Sequence, residues 1–323
     1  MKIAVTGASG HIGSNLCRKL IELGHRVKVL YYQDKRGFNG LPVEHIRGSM
    51  DDKAVLKALT EHVDVVFHLA AQISIEGRND RDLLVKNIEG TKNVVKAVMM
   101  NKGTRLIHFS SIHSLLHPPL NLVLDENRSL AFNDPIYYTR SKAFSEKVVL
   151  EAVKEGLDAV ILNPTAVVGP HDYKPSLLGS AIIRFYKGTL PALIPGGYDW
   201  VDVRDISEAA VKAIERGKGG QRYILSGHWR TLKVLGETIE KFGGHRIPSV
   251  KIPFWLAFAG IPFFRMLAKW SSGTPLYTYE SLHIIKSGNP RISHSLAAAD
   301  LDYKPRPFEE TIKDILIYEH RKN

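Results

Sequence analysis

Cysteine is all but missing from this chain. Cys17 is the only one in 323 residues, which excludes a disulfide scaffold and suits a reducing compartment. Long apolar runs are also missing. A membrane-spanning helix needs roughly 18 or more uninterrupted apolar residues. The nearest approach, Ile252–Ala268, is broken by Pro253, Pro262 and Arg265. Only Ile3-Ala4-Val5 precede polar Thr6 and a glycine cluster, so no signal peptide is expected and a cytoplasmic location is. His, Cys, Asp and Glu nowhere fall at metal-ligand spacing, so no metal is expected. Zinc spacing, basic helices and aromatic-basic RNA motifs are lacking, so nucleic acid is not an expected partner. Repeats and low-complexity tracts are absent. What remains is an ordinary globular mixture, 44% hydrophobic and 24% charged, which excludes disorder, collagen and coiled coil. Lys and Arg outnumber Asp and Glu by 44 to 33, a net +11 that fits an anionic ligand. The length suits one large or two modest domains.

The first half alternates short β-branched runs with helical periodicities. Strands are expected at Lys2–Thr6, Arg26–Tyr32, Val43–Arg47, Val63–Leu69, Arg105–Ser110 and Leu157–Leu162. Helices are expected at His11–Leu23, Leu83–Met100 and Pro135–Val153, the last with Asp134 as N-cap and Pro135 in its first turn. In Leu83–Met100 the apolar positions include Val85 and Ile88, and Met99 and Met100 read as core packing. Strands separated by helices imply βαβ units and a parallel sheet. After Pro164 prolines loosen the rhythm; a short strand and then a helix are expected over Trp200–Arg216, another strand at Tyr223–Ser226, and helices with aromatics after His228. The expected class is α/β, a doubly wound parallel sheet with a smaller, mostly helical C-terminal domain. The expected division is 1–168 with 200–226 returning to it, then 169–199 with 227–323.

Thr6-Gly7-Ala8-Ser9-Gly10-His11-Ile12-Gly13 joins the first strand to the first helix. Gly7 permits a tight turn, Gly10 lets backbone approach a pyrophosphate, and Gly13 lets helix pack on sheet. The helix N-terminus offers free N–H groups to an anion. This context points to a dinucleotide. NAD binding ordinarily uses an acid at the end of the second strand to hold the ribose 2′-OH. Tyr31 and Tyr32 stand there instead, followed by Asp34, Lys35 and Arg36. The two cations could pair with a 2′-phosphate, which favours NADP over NAD; a plain solvated loop is the other reading.

Tyr-x-x-x-Lys occurs three times, at Tyr31/Lys35, Tyr138/Lys142 and Tyr318/Lys322. Only the middle pair opens a long helix after the fifth strand, where residues four apart share a face. A phenol with a pKa of about 10 transfers protons poorly at neutral pH. A nearby ammonium is expected to lower it and make Tyr138 a general acid/base for a ketone–alcohol pair. The fifth strand runs into Ser110-Ser111, at the edge where open α/β sheets bind ligands. Ser111 could hold the substrate oxygen, or merely cap a turn. His113 and His117 follow it, either facing substrate or solvated. Cys17 reads as buried and inert.

Together these residues resemble the extended short-chain dehydrogenase/reductase family, also called the NAD-dependent epimerase/dehydratase family, over nearly the whole chain. The resemblance implies that Gly7, Ser9, Gly10, His11, Ile12 and Gly13 form the cofactor loop. His68-Leu69-Ala70-Ala71 resembles the family's fourth-strand motif on the adenine and ribose side, and Asn87 its structural asparagine. Ser111, Tyr138 and Lys142 match its catalytic triad, with Lys142 also holding the nicotinamide ribose. Asn163–Pro170, Pro164 and Val167 included, resembles the segment whose backbone meets the carboxamide. Trp200–Asp205 and Arg291–Pro307 resemble two further family segments. Departures are informative. Gly48-Ser49-Met50 replaces Gly-Asp-Leu, leaving Ser49 and the Met50 backbone to contact adenine. Ile112-His113 replaces the Asp-Glu of sugar-nucleotide dehydratases, and no arginine precedes Trp200 to grip a diphosphate. The nearest subgroups are dihydroflavonol reductase-like, hydroxysteroid dehydrogenase-like and hopanoid-associated sugar epimerase members.

The implied activity is NAD(P)-dependent oxidoreduction of a small carbonyl/alcohol substrate, NADP favoured. The alternative keeps the cofactor bound and epimerises a nucleotide-linked sugar, and a non-catalytic dinucleotide sensor is a third reading. The family pairs through helices like Leu83–Met100 and Pro135–Val153, so a homodimer is expected. Ile252–Trp270 is unusually apolar and aromatic. It is expected to pack in the core, some residues facing substrate, and membrane-surface contact through Arg265 and Lys269 is the lesser reading.

Overall fold

The computed structural model describes residues 1–73, 81–262 and 278–321. Arg265, Lys269 and Trp270 of the aromatic segment, and Lys322, lie outside them.

Seven parallel strands form the main sheet: β1 (Lys2–Thr6), β2 (Arg26–Tyr31), β3 (Glu44–Arg47), β4 (Val65–His68), β5 (Arg105–Phe109), β6 (Ala159–Pro164) and β9 (Arg222–Leu225), in the order β3-β2-β1-β4-β5-β6-β9. Alternation along each strand sends residues to opposite faces. Ile3, Val5, Phe67, Ile107 and Leu162 point to one face with Leu16 and Leu20 of α1 (His11–Glu22) and Ile206 and Ala210 of α6 (Val203–Arg216). Ala4, Val66, Leu106 and Ile161 point to the other, against α2 (Lys53–Thr60), α3 (Arg81–Met99) and α4 (Tyr137–Lys154). Both faces are apolar because helices cover both. Strand order reverses between β1 and β4, so a crevice opens beyond their C-terminal ends.

A second apolar cluster packs on a smaller sheet. β8 (Gly197–Asp202) lies between β7 (Ala166–Val168), parallel to it, and β10 (His228–Thr231), antiparallel. Trp200 and Leu193 pack there with residues of α5 (Leu177–Tyr186), α7 (Leu232–Lys241), α8 (Phe254–Ala259), α9 (Tyr279–Ser287) and α11 (Phe308–His320). α10 (Ser295–Leu301) packs instead on the main sheet's first face. The chain is therefore a Rossmann-type doubly wound sheet with a mostly helical C-terminal region. The strand expected at Trp200 is β8, but its partners β7 and β10 were not expected, because strands of three and four residues show no alternation to read.

Several expectations need correction. α4 begins at Tyr137, not Pro135: Ile136 is extended and Asp134 Oδ1 accepts the Ile136 N–H at 2.8 Å ahead of the helix. Met100 is 82% exposed and Met99 38%, so neither is core; they follow the last apolar turn of α3 into solvent. Val85 is exposed as well. In α8, Ala257 is buried and Phe254 and Phe258 pack on the second cluster, whereas Trp255 faces solvent. No helix among the described residues is long and apolar enough to cross a membrane.

Candidate active site

The glycine loop closes by a Gly10 N–H bond to the Gly7 carbonyl at 3.0 Å. Gly7 has φ +75°, and a Cβ on it would sit 2.7 Å from the Ala70 nitrogen. A Cβ on Gly13 would collide with the Gly7 carbonyl oxygen. α1 starts at Gly10 with no side-chain cap and no acid in its first turn. Its first N–H groups therefore face the crevice free for an anion, and this cradle fits a dinucleotide pyrophosphate. Ser9 lies beside Gly37, whose Cβ would stand 2.9 Å from the Ser9 Cα, and Ile12 packs on the core. His11 is tied elsewhere: its Nε2 lies 3.0 Å from the Pro170 carbonyl. Asn15 Nδ2 donates to the same carbonyl, clamping α1 to the 170–173 loop.

The turn carrying Lys35 and Arg36 rests against Ala8 and Ser9 through Gly37. Both cations are engaged. Arg36 forks onto the Asp34 carboxylate at 2.7 and 3.0 Å, which holds the Asp34 pKa down. Lys35 Nζ stands 4.8 Å over the Tyr31 ring, while Tyr32 is exposed. Ser49 caps its own turn by accepting the Asp51 N–H, and the Met50 carbonyl accepts Asn93 Nδ2 at 3.1 Å. These two are thus committed locally.

Beyond β4, Leu69 packs on the core and the Ala70 N–H donates to Thr6 Oγ1 at 3.3 Å. Ala71 precedes Gln72, whose N–H donates to Asn87 Oδ1 at 2.7 Å. Asn87 Nδ2 donates to the Gln72 carbonyl and to Ser141 Oγ, both at 3.0 Å. Ser141 Oγ donates in turn to the Tyr138 carbonyl at 2.7 Å. Sequence reasoning missed the bridge behind this. Thr91 Oγ1 donates to the Asn87 carbonyl, so His68 Nε2–H must donate to Thr91 Oγ1 at 3.1 Å. The His68 Nδ1 is then the acceptor for the Thr6 hydroxyl at 2.8 Å. Two runs of hydrogen bonds meet at Asn87, one ending on its carbonyl and one starting from its Nδ2, and link the strand before the glycine loop to the helix carrying Tyr138.

Ser111, Tyr138 and Lys142 come together at the C-terminal edge of β5. Ser111 is buried, and its Oγ accepts the His113 N–H at 3.2 Å as it opens a 3-10 turn. Capping and proximity to the tyrosine are compatible: Ser111 lies close enough to the Tyr138 hydroxyl to favour its ionised form. Burial pushes the Tyr138 phenol up to about 12, and Ser111 opposes this. Lys142 was expected to lower that pKa. Instead its Nζ donates to the Phe109 carbonyl at 3.0 Å, and burial brings its own pKa down to about 8 against the pull of Glu146. Burial is the larger effect at both groups, against Ser111 at Tyr138 and against the Glu146 charge at Lys142.

Glu146, one turn beyond Lys142, was also missed. It is fully buried and accepts Ser110 Oγ at 2.6 Å, Ser114 Oγ at 2.7 Å and Asn163 Nδ2 at 2.9 Å. Its other oxygen pairs with Arg222 of β9 at 2.7 Å. A carboxylate four residues after Lys142 on a face otherwise buried was the available signal. Burial holds His113 to about 3 and His117 to about 4, so both are neutral; their rings stack 5.3 Å apart and His117 Nδ1 accepts the Asn289 N–H. Pro164 ends β6 and Val167 pairs with Val201. Between them Thr165 donates to Asp199, whose pKa burial raises to about 6. Cys17 is buried, its thiol pushed up to about 12. Among the described residues no cluster could hold a metal.

A parallel sheet reversing at a glycine loop defines the class, a Rossmann-type dinucleotide-binding protein. The pattern of the NAD dependent epimerase/dehydratase family matches residues 3–226, and the chain belongs to that family. It is 33% identical over 295 residues, 89% of each chain, to sterol demethylase protein B of Methylococcus capsulatus. It is 35% identical over 216 residues, 65% of this chain and 63% of the other, to 2-alkyl-3-oxoalkanoate reductase of Stenotrophomonas maltophilia. The crystal structure of gox2253 superposes with a TM-score of 0.85 at 29% identity, covering 99% and 98% of the two chains. The protein is an enzyme of this NAD(P)-dependent oxidoreductase family.

Proposed function

We propose that the enzyme interconverts a ketone and a secondary alcohol on a small, largely apolar molecule, using NADP in preference to NAD. The observation that carries this reading is the placement of Ser111, Tyr138 and Lys142 together at the C-terminal edge of β5. The bound dihydronicotinamide supplies a hydride. Ser111 Oγ holds the substrate oxygen, and Tyr138, protonated at neutral pH, donates to that oxygen as charge develops on it. Lys142 keeps a positive charge near the departing proton and reaches the cofactor ribose. Asn87 fixes the helix that carries both. Residues 1–168 and 200–226 take the dinucleotide, and 169–199 and 227–323 take the substrate. Gly7, Gly10 and Gly13 receive the pyrophosphate, and Lys35 and Arg36 the 2′-phosphate, Arg36 exchanging Asp34 for it. Pairing through α3 and α4 makes a homodimer, with exposed Val85 in the contact.

An apolar substrate fits the neutral His113 and His117 beside Ser111 and the absence of an arginine before Trp200. It also fits relatives named for a sterol and for an alkyl-oxoalkanoate. Cofactor stoichiometry tests the reading. With NADPH and a panel of sterol ketones and long-chain 3-oxo acids, one NADPH should be oxidised per alcohol formed. Conversion without net cofactor consumption would instead indicate epimerisation.

A further inference from the structure

Helix α8 reads Phe254-Trp255-Leu256-Ala257-Phe258-Ala259, with no charged side chain. Its inner side is accounted for by Phe254, Ala257 and Phe258 on the second cluster. Its outer side is Trp255, 71% exposed, and Leu256, 42% exposed. Val250 nearby is 56% exposed, and Tyr279, its ring 5.8 Å from that of Phe258, is 47% exposed. The base is firm: the Leu193 N–H donates to the Val250 carbonyl and the Ile252 N–H to the Leu193 carbonyl, both at 2.9 Å. Contiguous apolar surface on a firm base marks an interaction site.

Charge identifies the occupant. Residues 241–262 contain Lys241, Arg246 and Lys251 and no Asp or Glu. All three cations are exposed, and none has an ion-pair partner among the described residues. The His245 N–H donates to the Tyr186 carbonyl, which brings exposed Lys187 alongside. A symmetric contact with a second copy would turn these cations toward one another. A Trp and Leu tip with basic flanks is the composition that enters the headgroup boundary of an anionic bilayer. We propose that residues 241–262 seat the enzyme on an anionic membrane surface, with Trp255 and Leu256 inserted. The docking stands independently of the reaction assigned above.

Co-sedimentation of the full-length protein with vesicles tests it. At low salt the protein should pellet with phosphatidylcholine vesicles containing phosphatidylglycerol, and much less with phosphatidylcholine alone. Trp255→Ser/Leu256→Ser should lower partitioning by roughly tenfold or more. Arg246→Glu/Lys251→Glu should weaken it similarly. Unchanged thermal midpoints and NADPH binding would show that both variants fold. Failure to pellet with anionic vesicles, or undiminished binding by the folded Trp255/Leu256 variant, would overturn the proposal. So would a change in oligomeric state caused by that variant, which would assign the face to a second copy.

Discussion

At Tyr138, two effects on one phenol compete and burial wins, leaving it protonated at neutral pH and suited to donate in the reducing direction. Tyr138→Phe removes one hydroxyl, so turnover should fall by roughly 10²–10⁴. The dissociation constant for NADPH should stay close to wild type, and kinetics with a fluorescence titration check both. Lys35 and Arg36 offer a second test. If they receive the 2′-phosphate, Lys35→Ala/Arg36→Ala should weaken NADPH binding several-fold or more while leaving NADH binding nearly unchanged. Titration of each variant with both cofactors decides this. The tyrosine–lysine pair was legible because four residues is one helical turn. The balance of desolvation against charge was not, because neither burial nor the pull of the Phe109 carbonyl on Lys142 is a local property.

Among the elements, α4 holds the site through two buried networks. Asn87 joins it to the loop after β4, and Glu146 joins it to β9 through Arg222. Removing one partner of a buried ion pair strands the other charge, at about 3–5 kcal/mol. Glu146→Gln should therefore lower the thermal midpoint markedly, and adding Arg222→Met should recover part of the loss; calorimetry of the single and double variants checks the coupling. The main sheet was readable from its alternating β-branched runs, each five or so residues between helices. Strand β9 was readable to within a residue as Tyr223–Ser226, whereas the small sheet was harder. β7 has three residues and β10 four, and what makes them strands is pairing with β8 rather than any pattern of their own.

Over the whole molecule, buried imidazoles give stability a direction with pH. His68 and His113 are held at about 3, His117 at about 4, and His108 well below its ordinary value, all chiefly by burial. Between these values and the unfolded value of about 6.5 the unfolded chain binds more protons, so stability rises with pH there and is complete above it. Each imidazole contributes a slope of up to about 1.4 kcal/mol per pH unit. Asp199, raised to about 6, works the other way between its unfolded value and 6, as do Glu126, Asp134 and Asp205, which burial also raises; His25 and His294, lowered by burial, add to the imidazole side. Urea unfolding should show stability falling steeply as pH drops below about 6.5. His68→Gln should shallow that slope, whereas an unchanged slope would contradict the account.

The central claim is proton and hydride delivery to one carbonyl from Tyr138 and a bound cofactor. Its most direct test is turnover of an apolar ketone with NADPH deuterated at the transferable C4 position, comparing wild type with Tyr138→Phe. The account predicts deuterium on the carbinol carbon of the product, one oxidised cofactor per alcohol, and near-complete loss of the reaction in the variant. An alcohol without cofactor-derived deuterium, or a variant as fast as wild type, would contradict it.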